Sequence, residues 1–227
     1  MPFSVTLDVK LKNLLIPVLM VLVSSLILNI YQFFQNKSLS RGTLVIGVID
    51  GDTIVLEGKV RLRLRHVDAP ELEYCGGNQA KETLEKLVLN KEILFTEKLL
   101  DTQGRAMALV YLGNKLINKE MLKSGWARYH SDQTSVTKEL KTTSDRAKAE
   151  KIGIFSSLCY QTENTDNPKC VIKGNTDKNS NLRKYYFPGC PQYEFTIVEK
   201  DLGEDWFCTE KEAQAAGFSR AKNCPER

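Results

Sequence analysis

Three carboxylates, Asp52, Asp68 and Glu71, stand beside an arginine-rich run, VRLRLRHVDAPE at 60–71. Two hard anionic oxygens, completed by a backbone carbonyl and waters, make a Ca²⁺ site. A further carboxylate next to such a site can deprotonate or orient a water. Arginine suits a phosphodiester, because its planar fork gives two parallel bonds to phosphate oxygens. Cation, base and arginine together describe hydrolysis of a phosphate ester. Each feature alone has a plainer reading: Asp-Gly-Asp at 50–52 is a turn, Asp-Ala-Pro-Glu at 68–71 leads into a helix, and arginine on a strand faces solvent. Only their conjunction argues for chemistry.

The elements that must position these groups are legible from periodicity. Asp-Gly at 50–51 and Glu-Gly at 57–58 separate three β-branched or alternating runs, 43–49, 53–57 and 60–67, which read as an antiparallel meander. Adjacent strand ends would bring Asp52 and Asp68 together. In the third run the alternation sends Val60, Leu62 and Leu64 to one face and Arg61, Arg63 and Arg65 to the other. Ala80, Leu84, Leu87 and Val88 recur at helical spacing within 78–91, so a helix should follow the carboxylate loop. Residues 92–100 and 106–112 read as strands joined by the polar turn DTQGR; 115–125 is a short helix ending at Gly125, and 136–151 a polar one. The expected fold class is mainly β with α (α+β): a five-stranded OB-fold-type barrel with about three helices, plus a small cysteine-stabilised C-terminal domain.

VIDGDT (48–53), RLRHVDAPE (63–71) and DTQGRAMALVYL (101–112) resemble the three signature regions of the staphylococcal nuclease (thermonuclease-like) family. The resemblance covers about 43–158, with IGIF at 152–155 near its end. It implies a Ca²⁺-dependent phosphodiesterase that hydrolyses DNA and/or RNA to products with 3′-phosphate ends, without a small-molecule cofactor. Residue by residue, it makes Asp52 and Asp68 metal ligands beside the backbone carbonyl of Ala69. Glu71 becomes the general base, Arg63 and Arg105 hold the scissile phosphate, and Asp50 tunes the metal. Arg61 and Arg65 are not carried over and keep their reading as exposed strand charge. Ala69 stands where some members have threonine, and the family's nucleotide-pocket tyrosines have no clear counterpart in WARYHSDQ (126–133). Trp126 is expected in the core, and His66 and His130 receive no role. The rival reading is a catalytically inactive OB-type nucleic-acid-binding module anchored at the cell surface.

The remainder of the chain concerns location. A net charge of +4 is too small to argue for nucleic acid by itself. Residues 14–34 carry no charged side chain, and Lys10 and Lys12 precede them. That pattern predicts a transmembrane signal anchor, with a cleaved signal as the less favoured option, and it leaves the body outside the cytoplasm. Six cysteines fit an exported, disulfide-forming chain. The expected organisation is a head, anchor and linker over 1–40, a nuclease domain over 41–159, and a linker with a small module over 160–227. The tail segment WFCTEKEAQAAGFSRAKNC resembles the four-thiolate zinc module of bacterial alkylation-repair regulators. However, Ala221 occupies one place of its terminal C-x-x-C pair, so two disulfides among Cys170, Cys190, Cys208 and Cys224 are expected instead. Cys75 with Cys159 would be a third.

Overall fold

In the computed structural model, which describes residues 19–28, 42–178 and 180–226, β1 (Thr43–Val48), β2 (Thr53–Leu56) and β3 (Val60–Leu64) form the expected antiparallel meander. The Asp-Gly-Asp turn and a tight turn at Glu57–Lys59 separate them, the latter with Gly58 at φ 78°. A short strand β4 (Val67–Asp68) follows, then helix α1 (Gly77–Val88). Next come the long hairpin β5 (Glu92–Leu100) and β6 (Ala106–Leu112), the short β7 (Lys115–Leu116), α2 (Ile117–Ser124), β8 (Arg128–Tyr129) and α3 (Thr137–Ala149). β1 pairs with β5, β5 with β6, and a parallel pairing of β3 with β6 closes the ring. The result is a closed five-stranded barrel of the α+β class, with β7 paired along β6 beside it.

The barrel's core follows the sequence pattern. Ile54, Leu62, Leu64 and Leu109 point inward, and α1 contributes Ala80, Leu84 and Val88. These α1 positions lie one turn apart on one face. Gly125, at φ 74°, ends α2 as expected, because the left-handed conformation costs a glycine little. Buried Asn118 on α2 ties the closure together. Its Oδ1 accepts from the Val110 amide at 2.8 Å, and its Nδ2 donates to the carbonyls of Arg65 (2.8 Å) and Ala108 (3.2 Å).

Two expectations for the arginine strand fail. Val60, the first residue of β3 directly after the Glu57–Lys59 turn, is 48% exposed. Arg65 is only 5% exposed rather than solvated. The strand ends at Leu64, the alternation lapses with it, and the Arg65 side chain turns inward. It donates to both oxygens of Asp132, at 2.5 and 2.7 Å, and to the carbonyls of Glu97 and Gln133, each at 2.8 Å. An Asp132→Asn chain therefore strands a buried guanidinium. It should lose about 2–4 kcal/mol in urea unfolding, somewhat less than a fully buried pair because Asp132 retains partial exposure. The Arg65 hydrogen bond holds the Asp132 carboxyl below its ordinary value. The pair's stabilisation is thus complete above the unfolded carboxylate pKa of about 3.9 and fades as pH falls through the lower folded value. Asp132→Asn should flatten that acid limb of the stability curve.

Beyond the barrel, β9 (Tyr160–Gln161), β10 (Ile172–Thr176), β11 (Arg183–Tyr186), β12 (Val198–Glu199), β13 (Trp206–Phe207), α4 (Glu210–Ala215) and β14 (Ser219–Arg220) complete the chain. The order β13-β10-β11-β14 makes a small sheet around Ile172, Tyr185, Phe187, Phe207 and Phe218, while β12 pairs with β9. Thr209 caps α4 by accepting from the Glu212 amide at 3.2 Å. Disulfides join Cys75 to Cys159, Cys170 to Cys208 and Cys190 to Cys224. Among the described residues no cysteine is left for zinc. A tail core this small needs such staples, and loops of 38 and 34 residues are each worth roughly 4 kcal/mol of unfolded-state entropy.

The chain divides into two units, 1–41 and 42–227. Residues 19–28 are helical. Among the described residues no helix is long and apolar enough to cross a membrane, and the rest of the expected span over 14–34 lies outside them.

Candidate active site

The site is assembled from backbone approaches that side chains larger than glycine would prevent. In the turn after β1, a Cβ at Gly51 would lie 2.6 Å from the Ala69 Cβ and 2.4 Å from that of Ala80. Gly51 therefore lets the turn, the carboxylate loop and α1 converge. At Gly77 a Cβ would meet the Glu71 carbonyl oxygen at 2.1 Å, so the start of α1 presses directly on the backbone of Glu71.

Asp52 is 1% exposed and fully engaged. Its Oδ1 accepts from Thr53 Oγ1 at 2.8 Å and from Arg63 Nη1 at 2.6 Å, and its Oδ2 accepts from the Ala69 amide at 3.0 Å. Arg63 Nη2 donates to Asp68 Oδ1 at 2.7 Å. One guanidinium thus spans both carboxylates. Burial pushes the Asp52 carboxyl up to about 7, opposed by Arg63 and assisted by Asp50.

Arg105 arrives from the β5–β6 turn. Asp101 folds that turn around itself, accepting from the amides of Gln103 and Arg105 at 2.8 Å each and from Arg105 Nε at 2.6 Å. In the barrel closure Arg63 stands opposite Met107, two residues beyond Arg105. Arg63, Asp68 and Arg105 consequently line one cleft of about 310 Å³, together with His66, Asp101, His130 and Asp132. Glu71 lies outside that lining, exposed, and its carboxylate has no hydrogen-bond or ion-pair partner among the described residues.

The structure therefore brings Asp52, Arg63, Asp68 and Ala69 into direct contact, adds Arg105 across the cleft, and places Glu71 two residues beyond Ala69. Sequence reasoning missed the supports. His66, at φ 63° and buried, faces the His130 carbonyl through Nδ1 (3.2 Å) and Thr134 Oγ1 through Nε2 (2.8 Å), and stacks on Tyr129. A carbonyl only accepts, so Nδ1 carries a proton, and in the neutral ring Nε2 accepts from Thr134. Burial lowers the pKa of this imidazole. For Asp101 a signal existed, an aspartate opening a D-x-x-G-R turn. For Arg65, His66 and Asp132 the side-chain partners lie more than sixty residues apart. Trp126 packs half-buried between the barrel core and Ile154, as expected.

A hard cation fits this donor set. Asp52 and Asp68 offer carboxylate oxygens only, and the chain already places a cation, the Arg63 guanidinium, between them.

A five-stranded OB-type barrel with carboxylates and arginines converging at one cleft defines a phosphodiester-processing protein. Residues 61–157 match the family described as Staphylococcal nuclease homologue, a stretch that begins after Asp52 and ends before the tail. An uncharacterized endonuclease of Haemophilus influenzae is 31% identical over 141 residues, covering 60% of this chain and 78% of the relative. The micrococcal nuclease of Shigella flexneri is 32% identical over 127 residues, 49% of this chain and 72% of the relative. Protein ParB of Escherichia coli is 32% identical over 127 residues, 49% of this chain and 71% of that protein. The chain belongs to the staphylococcal nuclease family, and it is a nuclease.

Proposed function

We propose that the chain is a Ca²⁺-dependent phosphodiesterase that hydrolyses DNA and/or RNA and leaves 3′-phosphate ends. The observation that carries this reading is the Arg63 guanidinium bridging Asp52 and Asp68 on the cleft that Arg105 also lines. Asp52, Asp68 and the Ala69 carbonyl would hold Ca²⁺, which supplies charge neutralisation at the phosphate. Arg63 and Arg105 donate to the non-bridging phosphate oxygens and bind the five-coordinate transition state more strongly than the ground state. Glu71 orients the attacking water and takes its proton. Attack is in line with the P–O5′ bond; that bond breaks, the 5′-oxygen leaves with a proton from solvent, and the phosphate stays on the 3′ side.

Three disulfides support a body outside the cytoplasm, and the uncharged stretch 14–34 supports a membrane anchor that delivers it there. In this reading 42–159 performs the reaction.

Labelled single-stranded DNA, double-stranded DNA and RNA, incubated with the purified chain in Ca²⁺ or in chelator, test the proposal. Cutting should require the metal, and the products should accept 3′ extension only after phosphatase treatment. Cutting that persists in chelator would refute the metal assignment. Binding without cutting under every metal would favour the inactive OB-type module.

A further inference from the structure

We infer that the tail segment 198–203 is part of the active site's support: it clamps the two stretches of chain that present Asp68 and Glu71. The inference rests on the roles proposed above for those two residues.

The first contact is ionic. Asp68 on β4 pairs in register with Arg128 on β8. The Arg128 fork is gripped from the tail: Nε donates to Asp201 Oδ2 at 2.6 Å and Nη2 to Asp201 Oδ1 at 2.9 Å, while Nη2 lies 3.0 Å from Glu199 Oε1. The Asp201 side chain is 1% exposed. Two parallel bonds to one carboxylate fix the plane of the guanidinium. A buried clamp of this kind adds little net stability over apolar packing, and what it contributes here is the orientation of the strand beside Asp68.

The second contact is on the Glu71 side. The Tyr74 amide donates to the Glu71 carbonyl at 2.9 Å, and the Tyr74 ring packs on Gly203, where a Cβ would lie 2.6 Å from it. Lys200 touches both half-cystines of one disulfide: its carbonyl accepts from the Cys75 amide at 3.4 Å, and its amide donates to the Cys159 carbonyl at 2.8 Å. Within six tail residues the chain thus holds the strand partner of Asp68 and the turn that begins at Glu71. Arg128, Asp201 and Gly203 are positioning residues. None reaches the cleft that faces substrate.

The test uses the full chain. Asp201→Asn should lower kcat about 10- to 100-fold with KM within about 3-fold, the scale expected when catalytic groups drift by an ångström. Amide hydrogen exchange should quicken over 67–77 and stay unchanged in β1, β2 and β5. Asp201→Glu, which keeps the charge, should recover part of the loss. If Asp201→Asn does not fold, Arg128→Lys and the Cys75→Ser/Cys159→Ser pair give the same two readouts. Unchanged kcat in a folded variant overturns the inference. So does a kcat loss accompanied by faster exchange throughout the barrel, which would mark a merely structural role. Glu71→Gln is assayed alongside: if it stays fully active, the site reading fails and the clamp with it. If it is dead while Asp201→Asn is fully active, the clamp alone fails.

Discussion

Glu71→Gln lowers turnover by about 10²- to 10⁴-fold, the range for loss of a positioned general base, and leaves the melting temperature where it was. Both halves of this expectation come from the same geometry. The Glu71 carboxylate is exposed and without a partner among the described residues, so an isosteric amide removes no contact that holds the fold together. What holds Glu71 in place is its backbone, pressed by Gly77 and hydrogen-bonded to the Tyr74 amide. The amide variant keeps those constraints and loses only the proton acceptor. Initial rates on labelled single-stranded DNA, with a thermal melt of the same preparation, check both halves. Full activity would assign the proton to another group.

Arg105→Ala should lower kcat/KM by about 10²- to 10³-fold, the scale for removing one preorganised donor to a developing negative charge. Asp101 fixes the guanidinium through Nε, and through the amide of Arg105 it fixes the backbone as well. The amine of Arg105→Lys carries the charge without the planar fork, so it should restore only part of the loss. The side chain is more than half exposed and, among the described residues, has only Asp101 as a partner, so unfolding midpoints should hardly move. Steady-state kinetics on a short oligonucleotide, with urea unfolding alongside, separates the two. A loss of stability matching the loss of rate would mean that Arg105 serves the turn rather than the phosphate.

Most of the barrel was legible because its signals are local. Strand runs with period two, a 3.6-residue stripe in α1, and Gly125 as a helix stop all act within a few residues. The carboxylates and arginines were found through quoted motifs, and the structure brings Asp52, Arg63 and Asp68 into contact. Arg65 was misjudged because a strand pattern says nothing about what happens one residue after the strand ends, and its partner Asp132 is 67 residues away. Cys75 with Cys159 was expected and is found, whereas the pairing among the four tail cysteines and the Arg128–Asp201 clamp were hidden for the same reason as Asp132: the residues are visible in the chain, but topology decides which of them meet.

The parallel β3–β6 closure also orders how the site comes into being. Asp52 and Arg63 belong to the β1–β3 meander and Asp68 lies on β4 directly after it, so the contacts of Arg63 with the two carboxylates span only 11 and 5 positions. Arg105 reaches their cleft through a pairing that joins Arg63 to Met107 and Leu64 to Ala108, 44 positions apart in each case (107 minus 63, 108 minus 64). Contacts of that span carry a larger loop-closure cost and form late. A nascent or partly folded chain would thus hold its acidic half-site without the second phosphate-binding arm. In such a chain the cleft would lack the second arginine until β3 and β6 pair, so the complete phosphate-binding cleft is a property of the closed barrel.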